Sequence, residues 1–242
     1  MTTDDLLYKS RSLIGESQSL RLDNTEVVSI MDDIYQELVL ACPSYLLNQL
    51  TKRCKTNLVA DQRSYFERST NFPDLLKPRG CHIYWPSQSE DLLEYVSADL
   101  ITEDQANQSD TLSRHNDPSH PVFWVGTPKD QVAVSDMEQG VFVWPIPSWN
   151  TDNARGIIFE WIFPPTALSV TLPEATPKIP MDMQKMIPYG TAHIALKRIG
   201  DDIGAKGMKD IYDLKRLDFI RANPEPGRIL FIRRRNLFAG MT

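Results

Sequence analysis

No run of about 18 apolar residues occurs in this 242-residue chain, so no transmembrane helix is expected. Residues 1–8 carry two aspartates and no basic stretch, so no secretory signal is expected there. Cysteine is scarce. Cys42, Cys54 and Cys81 are odd in number and lack CxxC spacing, which excludes a disulfide framework and a zinc ribbon and predicts reduced thiols in an intracellular chain. Glycine is less frequent than proline, 11 against 17, a balance that suggests strand ends and ordered turns. Internal repeats and low-complexity tracts are absent. What remains is an ordinary globular composition, 41% hydrophobic and 24% charged, long enough to bury a core as one domain or two small ones without a staple.

Charge is unevenly placed. Residues 1–180 hold 14 basic against 25 acidic side chains, a net of −11, whereas 181–242 hold 12 against 7, a net of +5. A basic C-terminal quarter on an acidic body points to an acidic partner surface, or to a solvated helix face.

The hydrophobic period divides the chain. Thr3, Asp4 and Asp5 form an N-cap cluster ahead of Leu6, Leu7, Leu13 and Ile14, and Gly15 ends that helix. Asp23 and Asn24 open a second helix, with Val27, Met31, Ile34, Tyr35, Leu38 and Cys42 on one face and Pro43 at its end. From about 45 to 180, short apolar runs alternate with Pro, Gly, Asn and Asp. These predict antiparallel strands at 48–55, 64–69, 82–85, 123–127, 131–135, 141–145 and 156–163. A turn is expected at 137–140. Residues 88–99 read as a short helix or turn with Leu92, Leu93 and Val96 inward, and 99–120 as a polar, mobile loop. After Pro180 a helix carries Met186, Tyr189, Ala192, His193, Leu196 and Ile199. A break is expected at Asp201-Asp202 and 204–207, then a helix over 208–222 lined by Met208, Ile211, Tyr212, Leu214, Leu217 and Ile220. The expected class is α+β: helices of 1–47 and 181–222 in a bundle, an antiparallel β domain over 48–180, and an extended tail over 223–242.

Catalytic signals are missing. GxSxG and HExxH do not occur, and residues 200–206, which loosely resemble a phosphate loop, lack a preceding strand and a Ser or Thr after Lys206. His82, His115, His120 and His193 stand in unrelated contexts, and adjacent acids such as Asp32-Asp33 and Asp201-Asp202 diverge on a helix. No catalytic residue, metal site or cofactor is expected. The five tryptophans, Trp85, Trp124, Trp144, Trp149 and Trp161, have few basic neighbours. That disfavours a nucleic-acid groove, which needs phosphate neutralisation, and leaves sheet packing as the expected role. The tail stands out. Ile229, Leu230, Phe231 and Ile232 call for burial, and Arg233, Arg234 and Arg235 behind them can meet carboxylates or phosphates. Such a segment suits strand addition to a partner.

Three stretches resemble the head-to-tail adaptor (connector, neck) proteins of tailed bacteriophages. They are "DNTEVVSIMDDIYQELVLACP" at 23–43, the series "PVFWVGTP", "VFVWPIP", "GIIFEWIFPP" within 121–165, and "YGTAHIALKRIGDD" followed by "YDLKRL" within 183–217. The chain departs from that pattern at Pro188, where relatives usually carry an aliphatic residue, and in a tail after Asn223 that is longer than in many relatives and matches no specific tail motif. The resemblance implies a structural virion protein that is not an enzyme. It would form a dodecameric ring bound to the portal, with tail or nozzle proteins below. DNA would pass through the channel without specific binding, and no membrane would be involved. The protein would reside at the head–tail interface of the virion, and in the host cytoplasm during assembly. The tail over 224–242, with Ile229–Ile232 and Arg233–Arg235, matches the segment that adaptors insert into the portal. The alternative expectation is a soluble β-domain binding module that recognises carbohydrate or peptide through its aromatics and the 99–120 loop.

Overall fold

A computed structural model describes residues 1–15, 21–86, 93–107, 112, 116, 120–126, 140–151 and 156–224, with backbone alone at 85, 86, 93 and 94. The chain forms two units: Met1–Leu50 with Pro164–Thr242, and Thr51–Phe163.

The first unit is built from capped helices. Helix α1, Thr3–Ile14, starts at Thr2, whose hydroxyl accepts from Asp5 N–H while Asp5 accepts from Thr2 N–H. It ends at Gly15 in the left-handed region. Helix α2, Asn24–Ala41, repeats the device with Asp23 and Glu26. Buried Arg11 joins the two, donating to Asn24 Oδ1 and the Leu22 carbonyl at 2.8 Å each.

After α5, Met181–Gln184, helix α6, Ile187–Arg198, packs against α1, α2 and the long α7, Asp202–Ala222. Gly190 permits the close approach, since a Cβ there would lie 3.0 Å from Ile34 and 3.1 Å from Tyr212. The expected break falls at Gly200 and Asp201, and α7 then runs on through residues 204–207 without interruption. Asp201 caps α7 by accepting from Gly204 N–H, and Ala205 is buried while its carbonyl meets His193 Nδ1 at 3.0 Å. These tertiary contacts offset the poor helix propensity of two glycines. Residues 164–180 are strapped to the helices by side chains. Asp32 accepts from Leu168 N–H and Tyr35 from Lys178 N–H, both at 2.8 Å, and buried Gln184 donates to the carbonyls of Pro177 and Ile179.

The second unit holds strands β1 Thr51–Thr56, β2 Ser64–Glu67, β3 Lys77–Pro86, β4 Leu93–Leu100, β5 Val122–Gly126, β6 Gly140–Trp144 and β7 Ile157–Ile162, with one-turn helices α3 Arg68–Asn71 and α4 Glu103–Ala106. The sheet order is β1-β7-β3-β4-β5-β6-β2. Every pairing is antiparallel except β4 with β5, which is parallel through Asp99↔Val122 and Leu100↔Phe123.

The expected α+β class, a helical bundle flanking an antiparallel β domain, is thereby corrected. The protein is mixed α/β, with a mixed seven-stranded sheet nearly closed into a barrel. The reason lies in two misread segments. Residues 93–99 of the expected short helix or turn belong to strand β4, while 88–92 lie outside the described residues, and the expected polar loop contains the end of β4 and α4. Residues 101–121 thus form the long crossover that parallel pairing requires. Closure has a simple cause. The edge strands β1 and β2 are joined by residues 57–63 only. Six flat strand spacings would cover about 29 Å, the full stretch of that connection at about 27 Å, so the sheet must curl. A bulge at Phe66, φ +56°, adds curvature in β2.

The core of this unit centres on Phe159, whose ring meets Phe72 at 5.2 Å, Trp161 at 5.8 Å and Phe123 at 6.2 Å. The strand expected at 131–135 and the turn at 137–140 fall outside the described residues, apart from Gly140, which opens β6.

Candidate functional site

Several described side chains that could carry chemistry are engaged in structure. Cys54 and Cys81 flank Phe159 on opposite neighbouring strands, both in register with it. Two strand spacings separate them, about 10 Å, too far for a disulfide. Burial pushes the Cys54 thiol from its ordinary 9.0 up to about 12, and pushes the almost wholly buried Cys81 higher still. Neither is a thiolate near neutrality, so neither is an activated nucleophile. His193 is tied to the Ala205 carbonyl, and Asp32 and Asp201 are tied to backbone N–H groups. The 200–206 stretch is the turn into α7, where Gly200 (φ +85°) follows α6 and Asp201 caps the next helix. Among the described residues no group of three or more His, Cys, Asp or Glu converges to hold a metal ion. His115, Asp110 and Asp117 lie outside the described residues.

The tryptophans with described side chains pack rather than form an open platform. Trp124 stacks on Phe142 at 5.4 Å and 12°. The Arg63 guanidinium lies 5.0 Å from the Trp124 ring and 5.6 Å from Trp144, whose Nε1–H donates to the Leu112 carbonyl. Trp161 Nε1–H donates to Asp74, which also pairs with Lys52. Desolvation pushes the Asp74 carboxyl up, but these two bonds together prevail and hold it below its usual value.

Helix α7 is different. Its buried side chains are Ala205, Tyr212 and Phe219, one every seven residues, which makes a narrow packed seam. At its centre the Glu37–Arg216 ion pair joins α2 to α7. Burial, reinforced by the Glu37 charge, raises the neighbouring Tyr212 phenol. Of the six residues expected to line the packed face, Tyr212 is buried and Met208 half-buried, but the other four are not. Ile211, Leu214, Leu217 and Ile220 are all exposed, Leu214 by 60%, and Ile203 by 89%. Spaced by three, the four form a ridge about 14 Å long that winds over the solvent side. The sequence signal for this was the seven-residue spacing of Ala205, Tyr212 and Phe219, hidden by the more numerous aliphatics beside them.

The expected docking residues, Ile229, Leu230, Phe231, Ile232, Arg233, Arg234 and Arg235, lie outside the described residues, so the structure brings none of them to a site. No protein-family model matches the sequence, and no curated protein matches it.

Proposed function

We propose that this chain is a structural virion protein, one subunit of a dodecameric head-to-tail adaptor ring that binds the portal and links a phage capsid to its tail or nozzle. The observation that carries the reading is the outer ridge of α7. Scattered exposed aliphatics are ordinary, but a ridge whose middle, Leu214 and Leu217, lies across the helix from its packed seam is a patch that gains from cover. Each such side chain contributes about 1.5–3 kcal/mol when fully buried. In a closed ring the contacts are heterologous, so the ridge of one subunit meets a different surface of the next. The tail residues Ile229–Ile232 supply apolar affinity for the portal, and Arg233–Arg235 set its salt dependence. The acidic 1–180 region, net −11, repels phosphate and suits a channel through which DNA passes without specific binding. The protein acts at the head–tail interface of the virion, after assembly in the host cytoplasm, and the reading assigns it no catalytic step or cofactor.

Replacing both Leu214 and Leu217 with Glu tests this. The double variant should keep its helical signal and lie within about 0.5 kcal/mol of the parent in stability, as surface changes do, yet fail to close rings on the portal. A variant that assembles like the parent would remove α7 from the subunit contact.

A further inference from the structure

A second feature of the helical unit is separate from the α7 ridge. Between α1, the start of α6 and the middle of α7 lies a cleft of about 350 Å³. Its walls are apolar and aromatic, with Leu13, Pro188, Tyr189 and Tyr8, the last 77% exposed. Lys9, Lys185 and Lys215 line it together with the N-terminal Met1, and no Asp or Glu does. Lys215 Nζ sits 5.3 Å from the Tyr189 ring centre. Lys9 Nζ has the Met1 sulfur at 3.8 Å, a weak acceptor. Neither lysine forms an ion pair among the described residues, whereas Lys185 pairs with Asp182 at 3.0 Å.

We infer that this cleft docks an acidic peptide segment of a partner protein, one in which carboxylates flank an aromatic or aliphatic side chain. Like charges gathered on a concave, partly apolar surface repel one another and focus a positive potential into the cleft. A ligand carboxylate relieves that repulsion. The tyrosine walls accept the apolar side chain beside it, as aromatic residues do at protein interfaces. Nucleic acid fits less well. A phosphate backbone needs a continuing track of cations, and α7 also exposes Asp210, Asp213 and Asp218. The inference goes beyond the adaptor reading and uses residues apart from the α7 ridge, so either can fail alone.

The test is fluorescence anisotropy of the full chain with a labelled peptide in which glutamates flank a phenylalanine. The parent should bind, and more weakly as salt rises. Lys9→Gln with Lys215→Gln should lower affinity about tenfold or more, a change that electrostatic complementarity at a contact can carry. Tyr8→Ser should lower affinity several-fold with the salt dependence retained. Lys206→Gln with Arg221→Gln removes the same charge elsewhere on α7 and should leave binding unchanged, and far-UV circular dichroism should report a native fold for each variant. The inference is overturned if the peptide does not bind, if the control pair lowers affinity as much as the cleft pair, or if a single-stranded oligonucleotide of equal charge binds more tightly.

Discussion

Gly156 sits where the chain enters β7 against the end of β1. A Cβ at that position would lie 2.0 Å from Leu58 N and 2.6 Å from the Asn57 carbonyl carbon. Those atoms are backbone, held by hydrogen bonds from Leu58 N–H to Thr151 Oγ1 and from Gly156 N–H to the Thr56 carbonyl, so they cannot turn aside as a side chain would. Gly156→Ala should therefore destabilise by about 3 kcal/mol or more, the upper end of overpacking costs. Gly207→Ala is the contrast. Its Cβ would meet nothing within 4 Å, and alanine in a helix should stabilise by up to about 1 kcal/mol. All five tryptophans belong to the β unit, so tryptophan fluorescence during urea unfolding reads the Gly156 variant directly, while circular dichroism reads the Gly207 variant. Equal midpoints for Gly156→Ala and the parent would refute the close approach. At this scale the sequence was partly legible. Gly156 stood at a predicted strand start, but the close pass of residues 57–58, a hundred positions away, has no local signature.

Among the elements, helices with their own capping boxes were legible because cap and stripe are local: α2 follows Asp23 and Glu26 as expected, and α1 starts one residue from the expected cluster, at Thr2. Strand β4 was not. Val96 and Ala98 face inward while Tyr95, Ser97 and Asp99 are exposed. A small alanine at the core position opposite Cys81 blurs the alternation that marks a strand. Parallel pairing with β5 leaves no mark in sequence at all, since its partner is reached only after a crossover. The segment 164–180 shows how much rests on single side chains. Gln184 is buried and donates to two backbone carbonyls, those of Pro177 and Ile179, at 3.0 and 2.9 Å. Gln184→Ala leaves both acceptors without that donor, and the expected loss is about 1–3 kcal/mol, read from the urea midpoint at 222 nm. A midpoint equal to the parent's would show that the strap contributes nothing to stability.

For the whole molecule, the proposed adaptor role rests on the sequence resemblance and on the exposed ridge of α7. The candidate site illustrates what a sequence can and cannot carry. Its apolar residues were visible, but their facing was not. Helical periodicity ranks positions by angle without saying which arc is covered, and the bulkier arc of α7 is the uncovered one. On the adaptor proposal, cover comes from another chain. The adaptor account makes that other chain a neighbouring copy, recruited when the portal supplies a template, so the free protein should be monomeric or weakly associated. The most direct test is electron microscopy of the purified protein alone and mixed with the portal protein of the same phage. The account predicts small single particles in the first sample and a closed twelve-subunit ring seated on the portal in the second. Absence of any ring on the portal, with the chain remaining free or forming an isologous dimer, would contradict it.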